Sequence, residues 1–334
     1  MDAGEKFTDA AQAALERRFR RVYREAQADI TDKLNVYMKR FKRLDTEKRA
    51  LVKAGKLSED QYNIWLNGQV FAGKQWRNKL DSIATSLLYA NQQANSMIER
   101  QKRAVFGENA TFQAYKLEND AEMDLSFDVY DSATVTRLIK DQPELLPRKK
   151  VKESADKAWN REKVANCITQ GIIQGESISE IADRIGRDTA SMNQSAMTRY
   201  ARTAMTGAQN AGRMEMLHEA QEMGIKVKKK WLATLDSRTR DAHQELDGQV
   251  VDVDQPFHSS LGPIMYPGDP SADPANVYNC RCTLIYVYPE YNGGKGKRAA
   301  YNEYEDEDGN KRREYETIPD MTYKEWKKWK SGRK

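Results

Sequence analysis

The sequence predicts a mostly helical α+β protein, with long N-terminal helices, then a small α+β C-terminal module, then a flexible tail. The first observation is the distribution of proline, because none precedes Pro143 and none lies between Pro147 and Pro256. Proline removes a backbone donor and clashes inside a helix, so the chain before Pro256 can be largely helical. The second observation is a change of apolar spacing after Gly224, from the helical period to the period of two of a strand.

Two long apolar stripes predict the N-terminal helices. Steps of three or four residues link the members of the first stripe, which are Leu15, Phe19, Val22, Ala26, Ile30, Leu34, Tyr37, Phe41 and Leu44. The second stripe predicts a helix that ends near Gly107, and its members are Trp76, Leu80, Ile83, Leu87, Ala90, Ala94 and Met97. Between them, Ser58 and Gln61 fit a capping box, which predicts a short helix.

Residues 1–140 are therefore interpreted as an extended helical region, although the mixed pattern of residues 111–131 leaves that stretch unassigned. Residues 141–150 contain two prolines and are interpreted as a linker. Helices resume at residue 151, where one face carries Trp159, Val164, Cys167, Ile168 and Ile172.

A second capping box, Ser177 with Glu180, predicts a short helix that ends near Gly186. A long helix should follow over about 191–223, with Gly224 at its C-terminal cap. Its stripe consists of small residues that would let another helix approach closely: Ala201, Ala204, Ala208 and Ala211.

The C-terminal module is predicted from shorter patterns. Apolar Ile225, Val227 and Trp231 alternate with lysines, as on a half-buried strand. We then expect a helix over 238–246, a strand over 250–253, a Pro/Gly-rich loop over 256–274 and a strand over 277–288. Residues 291–334 are charge-rich, and we expect a flexible tail that carries a short helix with Trp326 and Trp329.

Composition excludes several classes of protein. Charged residues make up 31% of the chain, mean hydropathy is −0.86, and no run approaches the roughly 18 apolar residues of a membrane span. The N-terminus lacks the apolar stretch of a secretion signal. An odd, small number of cysteines, Cys167, Cys280 and Cys282, is typical of a reducing cytosol. A net charge of +5 permits contact with nucleic acid but does not require it.

Cys280, Cys282 and His243 are the candidate metal ligands. On the predicted strand the two sulfurs would share a face, His243 would add a nitrogen, and Asp236, Asp269 or water would complete a tetrahedral zinc site. Alternatively, both cysteines are small buried hydrophobes and His243 is hydrogen-bonded to a carboxylate or carbonyl group. Because a single C-x-C lacks the second ligand pair of a zinc finger, we favour the metal-free core and expect no cofactor.

The charged residues ahead of His243 also have two interpretations. Asp236 is placed to cap the short helix, and Arg238 and Arg240 can bind phosphate or carboxylate groups. Alternatively, these arginines form structural ion pairs with Asp236, Asp241 or Asp247. The dipeptide Asp247-Gly248 is a turn signal, as is the Tyr-Pro-Gly-Asp stretch at 266–269.

Residues 155–288 contain a series of motifs in a fixed order. A helical R-T-x4-A-x-N-x-x-R pattern stands as Arg202, Thr203, Ala208, Asn210 and Arg213. The later motifs stand as Trp231, Asp236, Arg238 to Arg240, His243, Asp247, Gly248, Pro267 to Asp269 and Asn279 to Cys282. In order and spacing, these motifs resemble those of the phage Mu F-like head morphogenesis family, the minor head (minor capsid) proteins of tailed bacteriophages. Many relatives carry an acidic residue where this chain has Val277-Tyr278. Residues 151–290 are accordingly interpreted as a Mu F-like domain.

The resemblance implies a non-enzymatic component of the virion head that is assembled in the host cytoplasm. It implies the portal protein, the major capsid or scaffolding protein and packaged double-stranded DNA as partners, and roles in head assembly and DNA delivery. The long apolar stripes would pack on partner helices or within the chain. Some relatives carry a toxin or ADP-ribosyltransferase domain after the shared module. About 45 residues follow Tyr288, too few for another enzyme core, so no toxin is expected.

Basic runs favour non-specific contact with the DNA backbone. The candidates are Arg17, Arg18, Arg20, Arg21 and Arg24 in the first helix, Lys228, Lys229 and Lys230 in a strand, and Lys327, Lys328 and Lys330 in the tail. Alternatively, each run is a solvated face. The competing enzyme hypothesis is a metal-dependent nuclease or other hydrolase that uses His243 with Cys280 or Cys282. The sequence does not favour the enzyme hypothesis, because the cysteine nucleophile would lie on a regular strand and the candidate carboxylates are spread around a short helix.

Overall fold

The computed structural model describes residues 2–68, 74–121, 127, 130, 132–149, 152–174, 176–234, 236–289, 297–305 and 311–319. These residues form nine α-helices: α1 (Ala3–Lys53), α2 (Glu59–Asn67), α3 (Lys74–Ala121), α4 (Ser132–Asp141), α5 (Glu153–Ile173), α6 (Ile178–Ile185), α7 (Ser191–Glu222), α8 (Asp241–Leu246) and α9 (Pro274–Val277). They form seven strands: β1 (Lys228–Leu232), β2 (Val250–Asp252), β3 (Phe257–Ser259), β4 (Gly262–Ile264), β5 (Thr283–Val287), β6 (Lys297–Glu305) and β7 (Lys311–Pro319). The predicted fold class is confirmed.

Local signals account for the boundaries of several helices. Ser58 and Ser177 each accept a hydrogen bond from the backbone three residues on, and Gln61 and Glu180 return it, as in the predicted capping boxes. α1 begins with a similar exchange, in which the Asp2 N–H donates to Glu5 at 2.7 Å and the Glu5 N–H donates to Asp2 at 2.9 Å. Gly224 has φ +84° after α7, as a C-terminal cap requires.

The predicted end of α3 near Gly107 is wrong, because the helix continues to Ala121. A Cβ at position 107 would lie 2.9 Å from the Tyr130 carbonyl oxygen. Glycine therefore permits close packing here and does not end the helix.

The chain divides into two compact units, and one of them comprises residues 15–97 and 149–198. Its core contains the apolar stripes of several helices, with Leu34, Ile83, Leu87, Val164 and Ile185 all fully buried. The α1 stripe is thus packed within the chain, which is one of the two alternatives that the sequence left open.

A chain of buried polar side chains runs beside that core. The Tyr23 hydroxyl donates to Asn91, the Asn91 amide donates to Asn193 at 2.7 Å, and the Asn193 amide donates to Asn160 at 2.8 Å. Buried polar groups are costly unless they are hydrogen-bonded. These hydrogen-bonded side chains therefore specify how the helices that carry them align.

The other unit comprises residues 1–14, 98–148 and 199–334. Its main sheet has the order β2-β1-β5 with both pairings antiparallel, and Trp231 lies opposite Leu284. β3 and β4 form a hairpin inside the stretch that was predicted to be a loop, so that prediction is corrected. β6 and β7 pair as a second hairpin, which the charge-rich composition did not predict. The helix expected around Trp326 and Trp329 lies outside the described residues.

Two further predictions in this unit are wrong in their boundaries. The last strand starts at Thr283, not at residue 277, because Asp273 caps the short helix α9 and Asn279 has φ +55°, which no strand accommodates. The helix that carries His243 starts at Asp241, not at residue 238, because Asp236 holds the preceding residues in a turn.

The predicted linker is packed where the structure describes it. Leu146 is buried, and the Pro147 carbonyl accepts hydrogen bonds from Lys102 at 2.7 Å and from Tyr200 at 3.3 Å. The division of the chain at residues 140, 150 and 290 follows the sequence and stays a prediction. No helix in the described ranges combines the length and apolar character that crossing a membrane requires.

Candidate functional site

One face of α7 holds the irregular segment that leads into β5. The Thr203 hydroxyl accepts a hydrogen bond from the Asn279 N–H at 3.1 Å, and the Thr206 hydroxyl donates to the Cys280 carbonyl at 2.8 Å. One turn further along, the Asn210 amide donates to the Cys282 carbonyl at 3.4 Å. Residues three or four apart share a helix face, so the spacing of this polar motif matches the backbone groups that it binds.

The same face covers the outer edge of β5. Asn210 Oδ1 accepts the Leu284 N–H at 2.7 Å, and Arg213 donates to the Leu284 carbonyl at 3.1 Å. β5 is an edge strand, and an unpaired edge invites pairing with another chain. Arg213 is 2% exposed and binds both carboxylate oxygens of Asp2, at 2.7 and 2.8 Å. The helical family motif thus closes a sheet edge.

Asp236 is the centre of a second polar cluster. It accepts hydrogen bonds from the Arg238 N–H at 3.0 Å and from the Thr239 hydroxyl at 3.2 Å. Both of its carboxylate oxygens accept bonds from Arg281, with Nη2 at 2.8 Å, and Arg238 forms a longer ion pair at 3.4 Å. The structural ion-pair alternative therefore holds for Arg238.

Asp236 does not cap the short helix, which corrects the sequence-based prediction. The N-cap of α8 is Arg240, without a side-chain cap, and the Arg240 guanidinium donates to the Ala275 carbonyl. The Asp236 carboxylate instead stabilises the turn before α8.

The remaining motif residues shape turns. Asp247 accepts the Ala233 N–H at 2.8 Å, and Gly248 has φ +80°. Asp269 accepts the N–H groups of Met265 at 3.0 Å and Ser271 at 2.8 Å. Glycine adopts such a positive φ value more readily than other residues. Gly248 and the two aspartates together set the path of the turns in the C-terminal module.

His243, Cys280 and Cys282 meet at that centre, with ligand atoms within 4.8 Å of one another. His243 Nδ1 lies 3.3 Å from Cys282 Sγ and 3.7 Å from Cys280 Sγ, and Nε2 lies 2.9 Å from the Asn276 carbonyl oxygen. All three side chains are at most 4% exposed. The Trp231 indole packs edge-on against the His243 ring, with 5.7 Å between the ring centroids.

The route by which the sulfurs meet differs from the prediction. Cys280 and Cys282 precede β5 and do not lie on a regular strand. The Cys282 N–H points to Cys280 Sγ at 3.4 Å, so the chain curls locally and brings the two sulfurs to one side. Neither Asp236 nor Asp269 belongs to the cluster, and each carboxylate is bound elsewhere, which corrects their prediction as a fourth metal ligand.

Burial and neighbouring charges shift the pKa values of the cluster. Burial raises the pKa of the Cys282 thiol well above its usual value. Burial would also raise the pKa of Cys280, but hydrogen bonds from Cys282 and the charges of Arg240 and Arg281 lower it below its usual value. Burial would lower the pKa of His243, but Cys282 raises it above 6.5. The cluster offers two soft sulfurs and one imidazole nitrogen, shielded from solvent.

The basic residues proposed for DNA contact differ in how far they are exposed. Arg17, Arg18, Arg20, Arg21 and Arg24 are exposed on α1. Lys228 is half-buried and pairs with Asp252 at 3.1 Å. Lys229 and Lys230 are buried, so they are not available to bind a phosphate backbone. Lys229 shares the apolar face of Val227 and Trp231, as the period of two requires. The tail lysines lie outside the described residues.

Three residues that contact the site were not identified from the sequence: Thr206, Asn276 and Arg281. Arg281 stands inside the N-C-R-C motif, and its charge was the only signal for its pairing with Asp236. Asn276 contributes a backbone carbonyl, which no residue type reveals. Thr206 lies on the face of Thr203 and Asn210, so helical spacing could have identified it.

Comparison with known proteins gives the following matches. Residues 162–285 match the family model described as Phage Mu protein F like protein, which confirms the resemblance seen in the motifs. The chain is 32% identical over 194 residues to Minor head protein GP7 of Bacillus phage SPP1. It is 45% identical over 128 residues to NAD(+)--arginine ADP-ribosyltransferase EFV of Enterococcus faecalis, and 31% identical over 130 residues to the uncharacterized protein YqbB of Bacillus subtilis.

These alignments cover only parts of the proteins concerned. The match with GP7 spans 58% of this chain and 60% of GP7. The match with EFV spans 37% of this chain and 25% of that protein, and the match with YqbB spans 38% and 41%. No solved structure matches the chain.

Proposed function

We propose that this chain, whose residues 162–285 belong to the Phage Mu protein F like family, is a non-enzymatic minor head protein of a tailed phage. In this proposal it binds the portal protein and the capsid or scaffold during head assembly in the host cytoplasm, and it remains in the virion head. The observation that carries the proposal is the 194-residue alignment with a minor head protein, which reaches well beyond the family segment.

The geometry of the motif residues supports a structural role. Asp236, Asn210 and Arg213 bind backbone groups or arginine side chains of the same module. His243, Cys280 and Cys282 are almost completely buried, so a polymer substrate has no access to them. The nuclease or hydrolase alternative gains no support, because Asp236 and Asp247 are bound elsewhere and do not converge on His243.

The activity in the name of EFV is not part of this proposal. The aligned segment is 128 residues long and covers a quarter of that protein, so three quarters of that protein have no counterpart in the match.

The test is co-expression of the full chain with the portal protein encoded in the same phage genome. We expect the two proteins to co-purify on size exclusion at moderate salt, because head proteins of this kind act as bound components of the assembly. A portal protein from an unrelated phage, expressed in the same way, is the control and should separate from the chain. Clean separation from the cognate portal at low and at moderate salt would contradict the proposal.

A further inference from the structure

We propose that His243, Cys280 and Cys282 bind one structural Zn²⁺ ion that fastens the segment before β5 to α8. The spacing of the ligand atoms carries the proposal. With Zn–S near 2.3 Å and Zn–N near 2.0–2.1 Å, a tetrahedral site has N···S separations of about 3.6 Å. The observed separations from His243 Nδ1 to the two sulfurs, 3.3 and 3.7 Å, lie on either side of that value. An ion fits after movements of a few tenths of an ångström.

The orientation of the imidazole agrees with metal binding. Nε2 lies 2.9 Å from the Asn276 carbonyl oxygen, which accepts only from a protonated nitrogen. Nδ1 of the neutral ring is then unprotonated and directs its lone pair at the two sulfurs. Metal-bound histidines usually donate their second nitrogen to a carbonyl or carboxylate group in this way, which fixes the tautomer and the ring plane.

The donor set selects the metal. Two thiolates and one imidazole suit Zn²⁺ better than Mg²⁺ or Ca²⁺, which take oxygen ligands. Two thiolates also neutralise a divalent cation, so the buried site carries no net charge. The fourth ligand in this proposal is a water molecule, because the carboxylates of Asp236 and Asp269 are bound elsewhere.

The site is structural and not catalytic. Catalytic zinc also has three protein ligands and one water, but a substrate must reach it. Here the exposed fractions are 3% for His243, 2% for Cys280 and 4% for Cys282. The ion would join His243 to two cysteines that lie 37 and 39 residues further along the sequence. This inference does not depend on the proposed role in the phage head.

The experiment uses the full chain, purified without an affinity tag that binds metal. Inductively coupled plasma mass spectrometry should find about one zinc ion per chain. After removal of the zinc, Co²⁺ should produce the visible and near-ultraviolet bands of tetrahedral, thiolate-bound cobalt. Cys280→Ser, Cys282→Ser and His243→Ala should each lose zinc and the cobalt spectrum. Cys167→Ser is the matched control, because Cys167 is buried but lies outside the cluster, and it should retain both.

The wild-type chain decides the question even if a variant fails to fold. Folded wild-type protein from zinc-supplemented cells that contains no zinc and gives no cobalt bands would overturn the proposal. An intact mass that is two hydrogens lower than expected, and that returns to the expected value on reduction, would also overturn the proposal. The two sulfurs would then form a disulfide. Equal loss of zinc in the Cys167→Ser variant would show that binding does not belong to this cluster.

Discussion

At the scale of single residues, Lys229 carries an amine into the core of the sheet module. Its side chain is fully buried, its Nζ donates to the Met265 carbonyl at 2.9 Å, and it lies 5.2 Å from the centroid of the Phe257 ring. Burial lowers its pKa from 10.5 to about 8, although the charges of Asp254 and Asp269 oppose the shift. A folded-state pKa below the unfolded value means that protonation of this amine opposes folding.

Lys229→Met is therefore expected to change how stability depends on pH. Between the folded pKa of about 8 and the unfolded pKa of 10.5, the unfolded chain binds more protons at this site. The contribution of Lys229 to the free energy of unfolding therefore rises with pH in that window, by at most about 1.4 kcal/mol per pH unit. Urea denaturation at pH 7, 8.5 and 9.5 measures it as the difference between wild type and Lys229→Met.

Lys228→Met is the control for that comparison, because Lys228 is the neighbouring lysine on the same strand and pairs with Asp252 near the surface. Its difference from wild type should not rise over the same pH range. If the difference for Lys229→Met is also constant from pH 7 to 9.5, the amine is not titrating in a buried site.

At the scale of elements, α7 organises the module through its polar face and through two glycines. A Cβ at Gly207 would lie 2.8 Å from the Gly268 carbonyl oxygen, and a Cβ at Gly212 would lie 2.3 Å from the Phe106 carbonyl oxygen. These contacts are with backbone atoms, which cannot move aside as a flexible side chain can. The close approach of α7 to α3 and to the loop around Gly268 thus occurs at two glycines, which the predicted stripe of alanines did not include.

Gly212→Ala is expected to destabilise the protein by about 1–3 kcal/mol or more, because overpacking forces the backbone of α7 and α3 apart. Helix propensity alone would favour alanine by about 1 kcal/mol, so the sign of the change separates packing from propensity. Thermal denaturation measures it.

Gly68→Ala is the control, since Gly68 has φ −64° and a Cβ there meets nothing within 4 Å. It should be neutral or slightly stabilising. A stabilising Gly212→Ala would mean that α7 and α3 do not approach closely at this point.

At the scale of the whole molecule, the exposed face of α1 supports the proposed contact with packaged DNA. Arg17, Arg18, Arg20 and Arg21 are solvent-exposed, whereas Leu15 and Phe19 of the same helix are buried. The orientation of the helix therefore presents a row of guanidinium groups away from the core. Such a row suits phosphate backbones without sequence preference.

Changing these four arginines to glutamine is expected to weaken binding to random duplex DNA. Each phosphate contact contributes about −0.9 to the slope of log K against log salt, so the slope should become shallower by about 3.6 if all four bind phosphate. Fluorescence anisotropy at several salt concentrations measures the slope.

Removal of four exposed charges elsewhere is the control, with glutamine in place of Arg137, Lys140, Lys152 and Arg187. That variant should bind DNA with nearly the wild-type slope. A wild-type slope near zero would contradict the predicted contact with DNA, and equal losses in both variants would mean that only net charge matters.

Much of the helical architecture could be predicted because its causes are local. The stripe from Leu15 to Leu44, the capping boxes at Ser58 and Ser177 and the cap at Gly224 each act within a few turns of one segment. The same reasoning failed at Gly107 and at Cys280, where the expected helix end and strand were wrong. At Gly107 the deciding contact comes from Tyr130, outside the helix, and at Cys280 the irregular path that Asp273 and Asn279 begin is held by α7, which is distant in sequence.

By itself, the sequence determined most of the helical segments, which motifs carry the family resemblance and which residue types are available to a metal. Only the tertiary structure decided that Lys229 is buried, that Arg281 pairs with Asp236, and that His243 meets both cysteines although neither lies on a strand. The physical reason is range: helix periodicity and capping depend on neighbours along the chain, whereas burial, ion pairing and ligand distances depend on segments that folding brings together.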